Sequence, residues 1–508
     1  MSSTSTKPVR VRYAPSPTGY LHIGGLRTAL YNVFFAKRHG GTFLLRMEDT
    51  DQARLVPGAV ESLIRTFATL GIVAAEGPYV ENDVLSERGA YGPYTQSQRL
   101  DVYREHAELL ITKGRAYRCF CSPETLDAMR AEAQAAGRPS RYDGRCRTLS
   151  KEEQEEKMTA GSHVIRMCVP PIGTISWIDQ VRGEISFSAA DIDDAVLVKT
   201  DGFPTYHLAN VVDDHLMEIS HVFRAEEWIP STPKHVLLYQ AFGWEPPLFG
   251  HLSWLLNADK TKLSKRQGDV AVENYLQRGY LPEALLNFVA LLGWNPTADR
   301  EIFSMDELAS LFDISKVNSA GAVVNFEKLD WFNRHYLKAL SSEEFARRAA
   351  PFLVAADILV PTGTDTWTAR ETQKTFSLAQ LAGVVGLERE RISALEELPK
   401  ALAFAFAPLV HQAAMLCWKG MSAADTVARL EAVRAFLAEQ GDVSSATLEA
   451  ATKEWIAAKG WGNGEVLWPL RVALSGQEKS PGPFEMIAAF GKEESLHRVE
   501  AALHVLQK

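Results

Sequence analysis

The stretch from Val9 to Gly71 alternates between two apolar patterns, and this alternation restricts the start of the chain to a parallel α/β sheet. Val9–Tyr13 and Thr42–Met47 are short apolar runs, which are typical of strands. Apolar residues at helical spacing follow each run, in one helix that opens at Gly24 and another that opens at Pro57. Strand, helix, strand and helix in this order predict parallel strands joined by crossover helices.

The loop between the first strand and its helix is the first candidate ligand site. It reads Pro15-Ser-Pro-Thr-Gly-Tyr-Leu-His22-Ile-Gly24-Gly25, and its prolines prevent the strand from continuing. The N-terminus of a helix favours a phosphate, and glycines let a flat base approach the backbone. His22 can donate a hydrogen bond to a phosphate oxygen. Taken alone, His-x-Gly-Gly is more often an ordinary strand–helix turn.

A second candidate is the basic loop Lys260-Thr-Lys262-Leu-Ser264-Lys265-Arg266-Gln-Gly268. Four cations and a serine in a polar loop can hold a triphosphate and stabilise the charge that moves toward pyrophosphate. An isolated run of charges is more often a solvated loop. The two candidates therefore gain their weight from occurring together.

Composition excludes several classes of protein. Five cysteines in 508 residues do not form a disulfide framework, and the length favours about three or four domains. The formal net charge of −9 argues against a generic nucleic-acid binder. The uncharged stretch Ala401–Trp418 has Pro408 and His411 at its middle, so two buried helical pieces are expected there rather than a membrane span. No apolar signal core follows Met1, so we expect a cytoplasmic protein without a membrane segment.

The predicted secondary structure of the rest of the chain changes in character twice. From about Ala116 to Lys199, a Cys-rich segment, a charged helix and short strands indicate an insertion of mixed structure. Strand-like apolar pieces return afterwards, including His207–Val212. From about Leu281 onward nearly every segment reads as helix.

These motifs together resemble the bacterial glutamyl-tRNA synthetases of class I. The loop with His22-Ile-Gly24-Gly25 is similar to the HIGH signature of that class, and Lys262-Leu-Ser-Lys265-Arg266 is similar to its KMSKS signature. The likeness continues through further segments and covers nearly the whole chain. These segments are Phe43–Asp51, Gly92–Arg99, Lys199–His215, Arg224–Trp228 and Pro469–Gly476.

The resemblance implies an α/β Rossmann-like catalytic domain with an α+β insertion, followed by an all-α C-terminal anticodon-binding region. The implied boundaries are 1–115 with 200–245 for the split catalytic domain, 116–199 for the insertion that binds the tRNA acceptor end, 246–340 for a stem-contact domain with the Lys-rich loop, and 341–508 for the anticodon-binding region. It further implies a ligase that uses ATP with Mg²⁺ to activate L-glutamate and then charges tRNA(Glu). We expect a monomer.

The resemblance also assigns residues to roles. The catalytic residues would be His22, Lys262, Ser264 and Lys265. The ATP site would comprise Pro15, Thr18, Gly19, His22, Gly24, Gly25 and Lys265. The glutamate site would comprise Arg12, Ser16, Glu48, Tyr206, Asn210 and Arg224, with Arg12 and Tyr206 on the side-chain carboxylate and Ser16 and Glu48 on the α-amino group. Arg391 falls near an arginine that helps the family to read the anticodon.

A metal site is left open by the sequence. Cys119 and Cys121 are followed by Cys146, and some members of the family bind zinc with Cys-x-Cys and then Cys-x-His. Here Thr148 stands where that pattern has histidine, and a neutral threonine is a poor ligand. A weakened zinc site and three reduced thiols without metal both fit the spacing.

Other functions remain as alternatives. The chain could be a non-discriminating enzyme that also charges tRNA(Gln), or a glutaminyl-tRNA synthetase, although those end in β-barrel domains and this rear half lacks a strand-rich alternation. A short glutamyl-queuosine relative would lack the helical rear half. A catalytically inactive RNA-binding paralogue would not need the intact His22, Lys265, Arg12 and Glu48. A nucleotidylyltransferase would leave most of the chain unexplained.

Overall fold

The computed structural model describes residues 8–137, 141–263, 271–441 and 444–508, and these divide into two compact units. The first unit comprises Met1–Asn274 with Leu286–Phe326, and the second comprises Tyr275–Leu285 with Glu327–Lys508. The finer four-part division inferred from the sequence stays a prediction.

Parallel strands form the centre of the first unit. The strands of this unit are β1 (Arg10–Tyr13), β2 (Thr42–Leu45), β3 (Gly77–Glu81), β4 (Val84–Arg88), β5 (Ala116–Cys119), β6 (Val164–Met167), β7 (Thr174–Asp179), β8 (Gly183–Ser188), β9 (Val196–Val198), β10 (His221–Ala225), β11 (Leu248–Leu252), β12 (Leu255–Leu256) and β13 (Ala322–Val323). β1 pairs with β2 in parallel, and β10 pairs with β11 in parallel. A hydrogen bond of 2.9 Å from the Ser220 N–H to the Arg10 carbonyl joins the first pair to the start of β10.

Helices connect these strands, and the two that follow the first two strands are those that the sequence predicts. The helices are α1 (Ile23–Arg38), α2 (Ala59–Thr69), α3 (Leu100–Thr112), α4 (Pro123–Ala135), α5 (Lys151–Ala160), α6 (Tyr206–Leu216), α7 (Thr232–Phe242), α8 (Val272–Gln277), α9 (Pro282–Ala290) and α10 (Met305–Leu311). α1 crosses between β1 and β2, and α7 crosses between β10 and β11, so two β-α-β units carry the site. The apolar face of α1, with Leu26, Leu30 and Phe34, is fully buried.

The segment predicted as an insertion is mixed in structure, as expected. β5, β6 and β9 form one sheet, and the β7–β8 hairpin continues the sheet of β10 and β11 in the order β10-β11-β7-β8. β7 reaches β11 where Asp179 lies opposite Phe249. The hairpin therefore shares a sheet with β10, which contributes residues to the candidate site.

The prediction of a strand at His207–Val212 is wrong, because these residues lie in α6. Val211 and Val212 favour a strand locally. Asn210, Asp213 and Asp214 are nevertheless all buried on this helix, where their side chains meet arginines of the first unit. Tertiary charge pairing thus outweighs the local propensity.

The second unit is helical, with a small sheet that the sequence did not predict. Its helices, besides the parts of α8 and α9 that it shares, are α11 (Phe326–Ala339), α12 (Ser342–Ala355), α13 (Leu378–Gly386), α14 (Leu398–Ala401), α15 (Ala403–Phe406), α16 (Ala413–Leu416), α17 (Ala423–Glu439), α18 (Ser445–Ala458), α19 (Asn463–Ser475), α20 (Pro483–Phe490) and α21 (Lys492–Leu506). The sheet consists of β14 (Leu359–Gly363), β15 (Thr366–Ala369) and β16 (Thr375–Ser377), all antiparallel. Leu359, Ala369 and Phe376 bury one face of it, so an expectation of helix alone missed a short apolar alternation.

Pro408 separates α15 from α16, in agreement with the expectation of two helical pieces. Within the described residues, no helix has the length and apolarity that a membrane crossing requires.

Candidate active site

A cavity of about 580 Å³ lies in the first unit at the carboxyl ends of β1, β2 and β10. This edge is where open parallel sheets bind ligands. Twelve of the residues assigned from the sequence line it: Arg12, Pro15, Ser16, Thr18, Gly19, His22, Gly24, Gly25, Glu48, Tyr206, Arg224 and Lys262. Asn210 is buried behind this lining. Ser264 and Lys265 lie outside the described residues.

The glycine-rich loop is organised by His22, which caps α1. The Nδ1 atom of His22 accepts a hydrogen bond of 3.1 Å from the Gly25 N–H. The ring proton is thereby placed on Nε2, from which the exposed ring can donate to a phosphate. A Cβ added at Gly25 would lie 2.6 Å from the Tyr13 hydroxyl, so packing of the protein itself also requires glycine there.

Arg12 does not stand as a bare cation in the cavity wall. Its Nε and Nη2 atoms donate to the two carboxylate oxygens of Asp214 at 3.0 and 3.1 Å, and both side chains are almost fully buried. Arg46 donates to the same carboxylate at 2.8 Å. Burial alone would raise the pKa of Asp214, but the two arginines lower it overall. The arginine that the resemblance places on the side-chain carboxylate of the ligand is therefore already paired with Asp214.

Glu48 is the carboxylate that faces the cavity from the end of β2. It accepts a hydrogen bond of 2.9 Å from Arg46 and is only 7% exposed. Burial raises the pKa of Glu48 although Arg46 and Arg12 oppose the shift. In the orientation that satisfies its neighbours, the Asn210 amide oxygen accepts from Arg12 at 3.1 Å and from Arg46 at 3.3 Å. A bound ammonium group would restore the stability of the Glu48 anion.

Arg224 on β10 is a buried cation whose hydrogen-bond partners are neutral. It is 5% exposed, and it donates to the Tyr206 hydroxyl at 2.8 Å, the Thr232 hydroxyl at 2.8 Å and ring nitrogens of His251 and His235 at 3.1 and 3.2 Å. Burial lowers the pKa of His251 to about 4 and that of His235 well below its usual value, so both rings are neutral. Among the described residues no carboxylate lies within 4.0 Å of its guanidinium.

The charges around the cavity therefore sum to a positive site. Three arginines and three carboxylates form a buried network that is neutral in sum. Arg224 adds one positive charge, and so does Arg27, which is buried, lines the cavity and donates to the carbonyls of Leu292 and Ser253. The members of the network are Arg12, Arg46, Arg99, Glu48, Asp213 and Asp214. A buried cation with only neutral partners is costly, and an anionic ligand would relieve that cost.

The basic loop starts at the rim of the cavity. Lys262 pairs with Glu227, and its ammonium lies 4.9 Å from the centre of the Trp254 ring. A bridge between His22 and Ala271 fastens the other side of the loop to the glycine-rich segment. The two candidate loops are thus neighbours in the structure, which their separation in sequence could not establish.

The three cysteines of the insertion lie together. Their Sγ atoms are all within 4.8 Å of one another, and those of Cys121 and Cys146 are 3.7 Å apart. Thr148 is exposed, whereas the Tyr142 hydroxyl lies 3.3 Å from the Cys119 sulfur and 3.5 Å from the Cys121 sulfur. Tetrahedral zinc with Zn–S bonds of about 2.3 Å separates its sulfurs by about 3.8 Å, so the spacing fits a metal. The hydroxyl of Tyr142 is the oxygen placed to act as a fourth ligand beside the three sulfurs.

Arg391 lies in the second unit. It is partly exposed and pairs with the buried Glu388 at 3.5 Å. Its role in reading an anticodon stays a prediction.

Sequence reasoning missed the partners of the assigned residues. Arg46 and Asp214 stand inside segments that carried the resemblance, yet nothing in their spacing shows that they meet. The available signal was two adjacent acids, Asp213 and Asp214, at the end of an apolar run, because buried carboxylates are rare without partners.

Comparisons with known proteins agree with this geometry. The model of tRNA synthetases class I (E and Q), catalytic domain, matches residues 8–331, and that of an anticodon binding domain matches residues 344–503. A glutamate–tRNA ligase of Alkaliphilus metalliredigens is 43% identical to the chain, and the match covers 97% of this chain and 98% of the ligase. A glutamate–tRNA ligase of Chloroherpeton thalassium is 42% identical, and the match covers 99% of each.

Two solved structures are also similar over the whole chain. The crystal structure of a glutamate tRNA ligase from Elizabethkingia meningosepticum in complex with its amino acid has a TM-score of 0.85 at 37% identity, and covers 98% of this chain and 100% of its own. Glutamate-tRNA synthetase from Elizabethkingia anophelis has a TM-score of 0.82 at 37% identity, with the same coverage. The chain therefore belongs to the class I tRNA synthetases of the E and Q family.

Proposed function

We propose that the chain is a glutamate–tRNA ligase, which activates L-glutamate with ATP and transfers it to the 3′-terminal adenosine of tRNA(Glu). The observation that carries this function is Arg224, a buried cation without a carboxylate partner among the described residues, in a cavity that also exposes Glu48. An α-amino acid with one extra negative charge matches this pair of opposite charges.

The charge of Arg224 separates glutamate from glutamine. Glutamate brings one net negative charge that can pair with this guanidinium, whereas glutamine is neutral and leaves Arg224 without a counter-charge. Leaving a buried charge unpaired costs about 2–5 kcal/mol, which is enough to reject glutamine without a second, editing site. The Tyr206 hydroxyl accepts from Arg224, so its own proton is free to donate to the ligand.

The chemistry needs no nucleophile from the protein. The α-carboxylate of glutamate attacks the α-phosphate of ATP and pyrophosphate leaves, so positioning and stabilisation of charge supply the catalysis. His22 at the start of α1 would hold a phosphate, and Lys262, Ser264 and Lys265 of the basic loop would follow the charge onto pyrophosphate. Magnesium bound to the phosphates would neutralise part of that charge.

The test is ATP–pyrophosphate exchange measured with glutamate and with glutamine, each with and without tRNA. Members of the family need tRNA for activation, so we expect exchange with glutamate only when tRNA is added. Exchange with glutamine and not with glutamate would refute the assignment. Charging assays with tRNA(Glu) and tRNA(Gln) decide the finer question of whether the enzyme discriminates between them.

The helical second unit supports a glutamate enzyme over a glutaminyl one, since the β-barrel domains expected of the latter would need a strand-rich rear half. A cytoplasmic location and a monomeric state belong to the same proposal. Sedimentation of the purified protein with and without tRNA measures the oligomeric state directly.

The cysteine cluster adds a metal site to the proposal. Cys119, Cys121, Cys146 and the Tyr142 oxygen would hold zinc, with Tyr142 in the place that sequence comparison gave to Thr148. A closed four-ligand site of this kind would stabilise the fold of the insertion and leave no open position for catalysis.

A further inference from the structure

Three adjacent parallel strands, β10, β11 and β7, bring Arg224 into line with two buried residues that do not line the cavity. Arg224 on β10 lies directly opposite His251 on β11, and Asp179 at the end of β7 pairs with the same strand at Phe249. His251 is 0% exposed and Asp179 is 2% exposed, and neither lines the cavity. They can therefore affect a ligand only through intervening residues, of which Arg224 lines the cavity.

Asp179 is fixed by hydrogen bonds on both of its oxygens. Oδ1 accepts from the backbone N–H groups of Val181, Arg182 and His251 at 3.1, 3.2 and 3.1 Å. Oδ2 lies 2.5 Å from Nδ1 of His251. Although burial alone would raise the pKa of Asp179, these hydrogen bonds lower it overall, so the carboxylate is ionised at neutral pH.

An ionised carboxylate at Nδ1 determines which ring nitrogen of His251 carries the proton. Nδ1–H donates to Asp179, so Nε2 keeps its lone pair and accepts from the Arg224 Nε–H at 3.1 Å. Nε2 also lies 3.1 Å from the Thr232 hydroxyl, which itself accepts from Arg224. The opposite tautomer would point an N–H at the guanidinium N–H. We propose that Asp179 and His251 are positioning residues, which hold the Arg224 guanidinium in the orientation that binds the glutamate carboxylate; this role rests on the proposed function.

The substitution Asp179→Asn tests the tautomer without changing the shape of the side chain. Three backbone N–H groups face the Oδ1 position, so the amide oxygen must take that place and the amide NH₂ must face Nδ1 of His251. The ring then carries its proton on Nε2, against Arg224. We expect the KM for glutamate to rise roughly 10–100-fold, the range for losing a residue that orients a binding group, while the KM for ATP changes less than twofold.

A second substitution separates positioning from general damage. In His251→Gln the amide oxygen can accept from Arg224 whatever residue stands at 179. We therefore expect Asp179→Asn to raise the glutamate KM less than threefold in the His251→Gln background, so that the double variant binds glutamate better than Asp179→Asn alone. An equal penalty in both backgrounds, or no change in glutamate KM for Asp179→Asn, would overturn the inference.

Controls keep the outcomes apart. Asp194→Asn removes another buried carboxylate, which bonds Tyr117 and Arg147 in the insertion, and its glutamate KM is expected to match the wild type. If the wild type shows no tRNA-dependent exchange with glutamate, the proposed function fails, whatever the variants do. If Asp179→Asn does not fold, the comparison of His251→Phe with His251→Gln replaces it. The KM for glutamate is expected to be at least tenfold higher in His251→Phe than in His251→Gln. Equal values in the two variants would overturn the inference.

Discussion

Replacing Arg224 by methionine should have opposite consequences for ligand binding and for the stability of the fold. Arg224 and Arg46 are both buried, but they differ in their partners. Arg46 donates to Glu48 and Asp214, whereas the partners of Arg224 are neutral. The matched pair of variants is therefore Arg224→Met and Arg46→Met.

The magnitudes follow from these partners. Arg46→Met leaves two buried carboxylates short of a cation, and breaking buried pairs costs about 3–5 kcal/mol. Arg224→Met loses hydrogen bonds but also removes the several kcal/mol of desolvation that a buried ion carries, so the net change in unfolding free energy should stay within about 2 kcal/mol of zero. Its glutamate affinity should fall by about 2–5 kcal/mol, or roughly 30-fold to several thousandfold.

Thermal unfolding and exchange kinetics measure the two effects on the same preparations. At about 2–4 °C per kcal/mol, Arg46→Met should lower the Tm of the affected transition by roughly 6–20 °C, and Arg224→Met by far less. Exchange kinetics at saturating ATP and tRNA give the glutamate dependence. A loss of stability in Arg224→Met equal to that in Arg46→Met, or an unchanged glutamate KM, would refute the reasoning from unpaired charge.

Further predictions concern acid, metal and the basic loop. The pKa of Asp214 in the folded state lies below its ordinary value, so the stability that its carboxylate contributes is present above about pH 4 and is lost as the pH falls further. The difference in Tm between wild type and Asp214→Asn should therefore be constant from about pH 7 to 5 and shrink below about pH 4. A constant difference down to about pH 3 would contradict this. Protein purified without added zinc should contain about one zinc per chain and Cys121→Ser much less, with Cys417→Ser as the control; a metal content near zero in the wild type would end the metal proposal. Lys265→Ala should slow glutamate activation with little change in glutamate KM, because a cation that follows charge onto pyrophosphate acts in the transition state, and a large rise in glutamate KM alone would contradict that role.

Much of the fold and of the cavity lining could be predicted because those features are local. The strand–helix alternation of the first 71 residues follows from apolar spacing, and β1, α1, β2 and α2 lie close to where the sequence places them. α6 was mistaken for a strand because what makes it a helix in the structure, the burial of its polar residues against arginines, is not a local property. The small sheet of the second unit was missed for a related reason, since its strands gain their stability from pairing with one another.

Net charge is a second case in which a summed property misleads. The value of −9 argued against nucleic acid, whereas the chain belongs to a family of tRNA synthetases. Binding depends on where charges lie, because fields of exposed charges are screened within about 8 Å at physiological ionic strength. The same distinction applies inside the first unit, where Arg12 and Arg224 look alike in sequence and differ in their partners.

By itself the sequence determined the parallel α/β opening, the two signature loops, the family they resemble and twelve of the residues that line the cavity. Only the tertiary structure decided which of the arginines is already neutralised, that Tyr142 rather than Thr148 stands beside the cysteines, and that Asp179 and His251 support Arg224. The physical reason is that the effect of a buried charge depends on its nearest partners, and those partners come from strands and helices far apart along the chain.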